Sequence, residues 1–216
     1  MVVHSMDSPG LQSLDAPLRT RRGRMWMLLV WLICAAPVVA SYVTYYVIRP
    51  QTQASFGALI EPQRPLPDLV ARSMDGRPVH LTSIQGQWLL ISVARGECDA
   101  SCQQHLYLQR QLRESLGKEK DRVDWLWLVS DAAPVPNALQ PALAGATVLA
   151  LPQAALEKWL SADTGHRLED HLYVVDPMGN WMMRFPAELD LQSAAKAKRD
   201  LDRLLRASVS WDQAGR

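Results

Sequence analysis

Residues 88–103 read WLLISVARGECDASCQ, and this stretch decides the fold class. Its first seven residues are nearly all apolar and bulky, which is typical of a central strand covered by helices on both faces. Asp99 can then cap a helix, and Gly117 can end it. The stretch therefore predicts a buried strand that places two cysteines, Cys98 and Cys102, at the beginning of a helix.

The spacing of these cysteines permits two kinds of chemistry. Residues at i and i+4 of a helix share a face, so Cys98 and Cys102 can form a disulfide or converge on one metal ion. Helix N-terminal amides favour the thiolate, which is the nucleophile in disulfide exchange and a soft ligand for Cu(I). We predict Cys98 as the nucleophile and Cys102 as the resolving thiol. A purely structural disulfide is the alternative, because a CxxxC spacing alone is a weak signal.

Strands and helices alternate on both sides of the cysteine stretch. Before it, Asp75-Gly76 is a hairpin-type turn between two short strands. After it, the sequence predicts a buried strand at 123–129, a further short strand at 147–151, a helix at 153–160, a hairpin turning at 177–180 and a helix at 188–209. This order predicts an α/β fold in which helices flank a mixed sheet.

The N-terminal part contains one uncharged apolar segment, residues 25–48. As a helix, it spans roughly 36 Å at about 1.5 Å per residue, which is enough for a hydrocarbon core of about 30 Å. We therefore predict one transmembrane helix. Arginines precede the segment at positions 19, 21, 22 and 24, whereas only Arg49 follows it closely. The positive-inside rule then places the N-terminus in the cytoplasm and the larger part outside. A cleaved signal peptide is the alternative.

The predicted organisation has four parts: a cytoplasmic tail (1–24), the transmembrane helix (25–48), a proline-rich linker without core residues (49–67) and an α/β domain (68–212). In a Gram-negative bacterium the helix lies in the inner membrane and the domain faces the periplasm. That compartment is oxidising, so a dithiol persists there only if it is reduced continually or held by a metal.

Composition excludes several classes of protein. The 216 residues are 48% apolar and 21% charged with a formal net charge of +1, which is typical of a globular chain and not of a disordered one. A net charge this small gives no electrostatic reason to predict a nucleic-acid partner. The sequence also lacks the GxGxxG and HExxH motifs, so nucleotide-binding and zinc-protease functions have no support.

A strand that leads into a CxxxC pair and a helix, followed by the predicted hairpin and final helix, resembles the thioredoxin-like superfamily. With the N-terminal anchor and the sequence HLYVVDPMG at 171–179, residues 66–208 look like the Sco/SenC family of cytochrome oxidase assembly proteins. In that family prolines lie beside the cysteines, whereas this chain has Asp99 and Gln103 there.

The resemblance implies a membrane-tethered domain in which two cysteines and one histidine bind copper, as Cu(I) or Cu(II), or in which the dithiol reduces a disulfide. His171, at the start of a predicted buried strand, completes the predicted metal site with Cys98 and Cys102. His166, in the preceding loop, is the alternative third ligand. His105, on the same helix as Cys102, is more consistent with a half-buried, hydrogen-bonded side chain.

The sequence thus predicts a membrane-anchored periplasmic protein, and the resemblance implies that it assists cytochrome c oxidase assembly. The resemblance implies copper delivery or thiol–disulfide exchange as the mechanism, the latter making it a thiol–disulfide oxidoreductase. The implied partner is the copper-binding subunit of the oxidase or another assembly factor. A non-catalytic, membrane-tethered scaffold with the same fold is the alternative function.

Overall fold

The computed structural model divides the chain into an N-terminal unit, Met1–Thr52, and a C-terminal unit, Gln53–Arg216. It describes residues 16–48, 55–131, 133–187 and 189–211. The predicted tail before residue 16, the beginning of the predicted linker (49–54), the predicted helix start at 188 and the domain end at 212 lie outside the described residues.

The N-terminal unit contains the helix α1 (Ala16–Val43), which continues into a π-helical turn at Thr44–Ile48. Within it, the 26 residues Arg21–Tyr46 are long and apolar enough to cross a membrane. This finding confirms the predicted N-terminal apolar helix. The helix begins before the predicted start at Met25, because the preceding arginines have good helix propensity and extend the hydrogen-bonded turns.

The described part of the C-terminal unit contains eight strands and three α-helices. The strands are β1 (Ala58–Pro65), β2 (Val70–Ser73), β3 (Pro78–His80), β4 (Trp88–Ala94), β5 (Val123–Val129), β6 (Thr147–Ala150), β7 (Leu172–Val175) and β8 (Asn180–Arg184). The helices are α2 (Ala100–Ser115), α3 (Gln153–Trp159) and α4 (Leu191–Ala207). The strands form one sheet in the order β1-β8-β7-β4-β5-β6-β2-β3.

Strand β4 lies in the interior of this sheet, parallel to β5 and antiparallel to β7. Its side chains alternate between two hydrophobic cores. The odd-numbered residues from Leu89 to Val93 pack in one core with Trp159 of α3, whereas Trp88 and Leu90 pack in the other with α2 and α4. All seven residues of β4 are buried, so the prediction of a central strand covered on both faces is confirmed. The α/β fold with a mixed sheet flanked by helices is confirmed with it.

The helix termini follow the capping residues in the sequence. Asp99 is the N-cap of α2, where its carboxylate accepts a hydrogen bond from the Cys102 backbone N–H at 2.9 Å. Asp190 caps α4 through the Ser193 backbone N–H at 2.7 Å. Helix α4 therefore begins at Leu191, because Asp190 supplies the acceptor that the first turn requires.

The prediction of a linker without core residues at 49–67 is wrong in its second half. Residues 58–65 form β1, which pairs antiparallel with β8, and Leu66 is buried. Prolines at 62 and 65 indicated a linker. An edge strand accommodates them, because its outward-facing positions need no backbone N–H for the sheet.

The chain that leads into β1 is attached to α4. The buried carboxylate of Asp200 accepts hydrogen bonds from the backbone N–H groups of Phe56 at 2.6 Å and Gly57 at 2.9 Å. A Cβ at Gly57 would lie 2.6 Å from the Met183 sulfur, so a larger residue here would displace that buried side chain. The C-terminal unit thus includes a segment that the sequence assigned to the linker.

Candidate functional site

Cys98 and Cys102 form a disulfide at the junction between β4 and α2, with their Cα atoms 5.1 Å apart. Cys98 lies in the loop that follows β4, and Cys102 lies in the first turn of α2. The two residues are 3% and 8% exposed and pack in an apolar cluster with Trp127 and Val129 of β5. The predicted strand-to-helix placement of the pair is present in the structure. The prediction that both cysteines share one face of the helix is wrong, because Cys98 precedes the N-cap residue Asp99 and is not helical.

The backbone of Cys98 has an unusual conformation. Its φ of +46° lies in the left-handed region, where residues with a side chain are uncommon. The Cys98 N–H donates to the Arg95 carbonyl at 3.1 Å, and the Gln103 side-chain amide donates to the Cys98 carbonyl at 3.0 Å. Hydrogen bonds on both sides therefore hold this residue in the turn.

Asp99 organises the beginning of α2 next to the disulfide. Besides the Cys102 N–H, its carboxylate accepts a hydrogen bond from the Ser101 hydroxyl at 3.1 Å. The Cys102 backbone N–H is the main cause that lowers the pKa of Asp99, and the positive charge of Arg167 contributes a smaller amount. Asp99 is consequently a carboxylate at neutral pH, and its charge lies close to both cysteines.

Asp131, which follows β5, holds the cysteine loop from the other side. Its carboxylate accepts hydrogen bonds from the Gly96 N–H at 2.9 Å, the Ala133 N–H at 3.2 Å and the Arg95 guanidinium at 3.1 Å. The Gly96 N–H is the main cause that lowers the pKa of Asp131. A Cβ at Gly96 would overlap the Ala133 carbonyl, so the two loops lie in backbone contact.

Asp131 and Gly96 were not predicted from the sequence as site residues. A usable signal was present, because the carboxyl ends of the parallel strands β4 and β5 meet at one edge of the sheet. A polar residue directly after β5 is therefore expected to lie near the loop that follows β4.

A cavity of about 140 Å³ opens beside the disulfide. Its lining comes from the end of β4 and the loop after it, from α2 and from the segment before β7. Charged and polar side chains in the lining include Asp99, His105, Arg167 and Glu169. The cavity therefore places charged and polar groups next to the disulfide.

Among the described histidines, His105 lines this cavity. Its Nδ1 lies 3.0 Å from the carbonyl oxygen of Glu169. A carbonyl can only accept, so we assign the ring hydrogen to Nδ1 when the imidazole is neutral. This bond connects α2 to the 3₁₀ turn at Leu168–Asp170, which also contributes Glu169 to the cavity lining.

The two histidines predicted as the third ligand lie elsewhere. His171 is 1% exposed; its Nε2 accepts from the Asp163 backbone N–H at 3.1 Å, and its Nδ1 donates to the Phe185 carbonyl at 2.9 Å. Burial lowers the pKa of His171, which favours the neutral ring that this pairing requires. The ring of His166 packs edge-on against His171, with centroids 5.7 Å apart. Neither His166 nor His171 is among the described residues that line the cavity.

The residues present do not fit a copper ion in this arrangement. The sulfur atoms of Cys98 and Cys102 are bonded to each other, and hydrogen bonds engage both ring nitrogens of His171. Within the described ranges, no group of three His, Cys, Asp or Glu side chains is placed to hold a metal. The predicted ligand set of Cys98, Cys102 and His171, with His166 as the alternative, stays a prediction.

A family model described as the transmembrane-like, thioredoxin-like C-terminal domain matches residues 88–208. The chain belongs to this transmembrane-like, thioredoxin-like family. The matched residues run from the start of β4 to the end of α4, so they include the disulfide, the cavity and both helices that flank β4 on one face. No curated protein matches the chain.

Solved structures of Sco proteins have the same fold. Yeast Sco1 has a TM-score of 0.55 at 15% identity over 68% of this chain and 97% of its own. Yeast Sco1 with copper bound gives 0.54 at 16% identity, over 70% and 98%. Apo Sco1 from Thermus thermophilus gives 0.53 at 17% identity, over 72% and 99%. The predicted resemblance to Sco proteins is confirmed as a similarity of fold.

Proposed function

We propose that this chain is a membrane-anchored thiol–disulfide oxidoreductase that acts on a protein partner during cytochrome c oxidase assembly. The observation that carries the proposal is the Cys98–Cys102 disulfide, held at the start of α2 beside a cavity of about 140 Å³. A thiolate at this end of a helix is stabilised by the backbone amides and the helix dipole, and the thiolate is the reactive form.

The exchange proceeds in two balanced steps. In the dithiol form, the Cys98 thiolate attacks one sulfur of a partner disulfide, forms a mixed disulfide and releases the second partner sulfur as a thiolate. Cys102 then loses its proton and attacks the Cys98 sulfur. This attack closes the Cys98–Cys102 disulfide and releases the partner as a dithiol. A second dithiol protein must reduce the pair again, because each cycle transfers two electrons to the partner.

The partner and the location come from the resemblance to the Sco/SenC family. We propose the copper-binding subunit of cytochrome oxidase, or another assembly factor, as the protein that receives the electrons. The anchor lies in the bacterial inner membrane with residues 1–24 in the cytoplasm, and the domain faces the periplasm. The Arg-rich sequence before the apolar helix supports this orientation.

Copper delivery is the other mechanism that the resemblance implies, and yeast Sco1 has been crystallised with copper bound. In this chain, copper as cargo would first require reduction of the disulfide. A third ligand would then have to come from a histidine that breaks its present hydrogen bonds. We therefore favour thiol–disulfide exchange over copper delivery as the mechanism. Anaerobic titration of the reduced full chain with Cu(I) against a chelator tests this preference, with His171→Ala and His166→Ala in parallel. We expect no tight one-to-one binding that depends on either histidine.

The main experiment measures oxidase maturation in a host that lacks this protein. Cys98→Ser and Cys102→Ser are each expected to abolish maturation, because either change removes one of the two exchange steps. Cys34→Ser is the matched control, since Cys34 is the free cysteine in α1. Full maturation with either cysteine-pair variant would contradict the proposal, and full maturation with both would favour the scaffold function. Immunoblots of the membrane fraction establish that every variant accumulates.

A further inference from the structure

Gln103 and Asp99 form a side-chain clamp around the turn that carries Cys98. The carboxylate of Asp99 accepts the Cys102 N–H at 2.9 Å, and the Asp99 carbonyl accepts the Gln103 N–H at 3.0 Å. The side chain of Gln103 reaches back and donates its amide hydrogen to the Cys98 carbonyl at 3.0 Å. Proline at position 103 could not donate either bond, so the clamp depends on the residues that distinguish this chain from the family it resembles.

This clamp acts on a residue in an unfavourable conformation. Cys98 has a φ of +46°, and an L-residue in this region is held there only when its surroundings determine it. The Gln103 bond is made to the Cys98 backbone carbonyl and not to its sulfur. It can therefore persist when the disulfide opens, and the turn then keeps the two sulfur atoms within reach of each other.

We infer that Gln103 is a positioning residue that favours the disulfide form of the Cys98–Cys102 pair; the inference rests on the proposed exchange function. When the dithiol is already held in the geometry of the disulfide, little conformational freedom is lost on closure. Without the bond, Cys98 of the dithiol relaxes toward negative φ, and the sulfurs meet less often. The dithiol form then gains stability relative to the disulfide. The attack of Cys102 on a mixed disulfide also becomes slower.

The variant Gln103→Met tests this inference. Methionine has nearly the same length and helix propensity as glutamine but has no N–H donor. The change is neutral, so it leaves the charges of Arg95, Glu97, Asp99, Arg167 and Glu169 around the pair unaltered. Gln104→Met is the matched control, because Gln104 is the next residue of α2 and is also exposed. Every variant carries Cys34→Ser, so that only the Cys98–Cys102 pair reacts.

The full chain in detergent is equilibrated with buffers of reduced and oxidised glutathione, and the dithiol fraction is counted by thiol alkylation. We expect Gln103→Met to shift the equilibrium about tenfold toward the dithiol, which for two electrons equals about 30 mV. Gln104→Met is expected to match the parent protein. In Gln103→Met, urea unfolding of the oxidised chain should shift to lower concentration more than that of the reduced chain, because the lost bond supports the disulfide form. A general loss of stability would lower both midpoints equally, and Gln104→Met should leave the difference between them unchanged.

Each outcome has a separate meaning. A parent pair that exchanges with glutathione, together with a Gln103→Met equilibrium equal to that of the parent, overturns the clamp and leaves the proposed function standing. An equal shift in both methionine variants also contradicts the positioning role of Gln103, because the shift would then come from any methionine at the start of α2 and not from loss of the Gln103 bond. A parent pair that does not exchange with glutathione at all overturns the proposed function and the inference together.

Discussion

Replacement of Asp131 by alanine should loosen the cysteine loop and destabilise the C-terminal unit. The change removes the acceptor for the buried Gly96 N–H, the half-buried Ala133 N–H and the Arg95 guanidinium. A hydrogen bond from a buried N–H to a carboxylate contributes about 1.5–3 kcal/mol, whereas an exposed ion pair contributes about 0–1 kcal/mol. We expect a loss of about 3 kcal/mol in the free energy of unfolding.

Asp131→Asn should cost less, about 1 kcal/mol, because the amide oxygen still accepts a hydrogen bond while the charge is lost. Asp121→Ala serves as the control, since that carboxylate is 63% exposed and lies 3.8 Å from its ionic partner, Arg113. The assay is urea unfolding of the full chain in detergent, followed by circular dichroism. A free energy of unfolding in Asp131→Ala equal to that of Asp121→Ala would refute the assigned role of Asp131.

Three further predictions concern single residues, and the first two use the same urea assay. Gly96→Ala should destabilise the chain by about 2 kcal/mol, because the new methyl group overlaps the Ala133 carbonyl. His171→Ala should cost at least about 2 kcal/mol more than His166→Ala, because it leaves a buried carbonyl unpaired and opens a void. The pKa of Asp99 is lowered from its ordinary value of 3.8 in the folded chain, so its carboxylate stabilises the fold at neutral pH. This contribution is lost as the pH falls below 3.8 and through the lowered pKa. The melting temperature should therefore fall less steeply with acidification in Asp99→Asn.

Each of these outcomes can fail in a specific way. An unchanged unfolding midpoint in Gly96→Ala would mean that the two loops separate without cost. Equal stability of the two histidine variants would mean that the ring of His171 is not held as the structure describes. A pH profile of the Asp99→Asn melting temperature that coincides with that of the parent would exclude a folded-state role for the carboxylate.

Local patterns predicted the parts of the fold whose hydrogen bonds and burial involve neighbouring residues. The apolar run at 88–94 identified the central strand, because a strand with both faces buried needs apolar side chains at consecutive positions. Asp99 identified the beginning of α2, because a cap bonds to a backbone group three residues away. The N-terminal helix followed from its length and lack of charge.

Strand β1 was missed because its partner is distant in the sequence. Its register pairs Ala58 with Arg184, and nothing in the local pattern indicates that pairing. The prolines of this segment suggest a linker when they are considered alone. They become compatible with a strand only because β1 occupies an edge of the sheet.

For the candidate site, the sequence by itself determined the cysteine pair and its place between a buried strand and a helix, because the apolar run 88–94 and the Asp99 cap flank the pair. Only the tertiary structure decided that His105 faces the cavity while His171 is engaged in the core. It also decided that Asp131 holds the cysteine loop. Those placements depend on the path of the loops that join separate strands. The pattern of side chains along one strand or helix does not specify which other strand, helix or loop lies next to it.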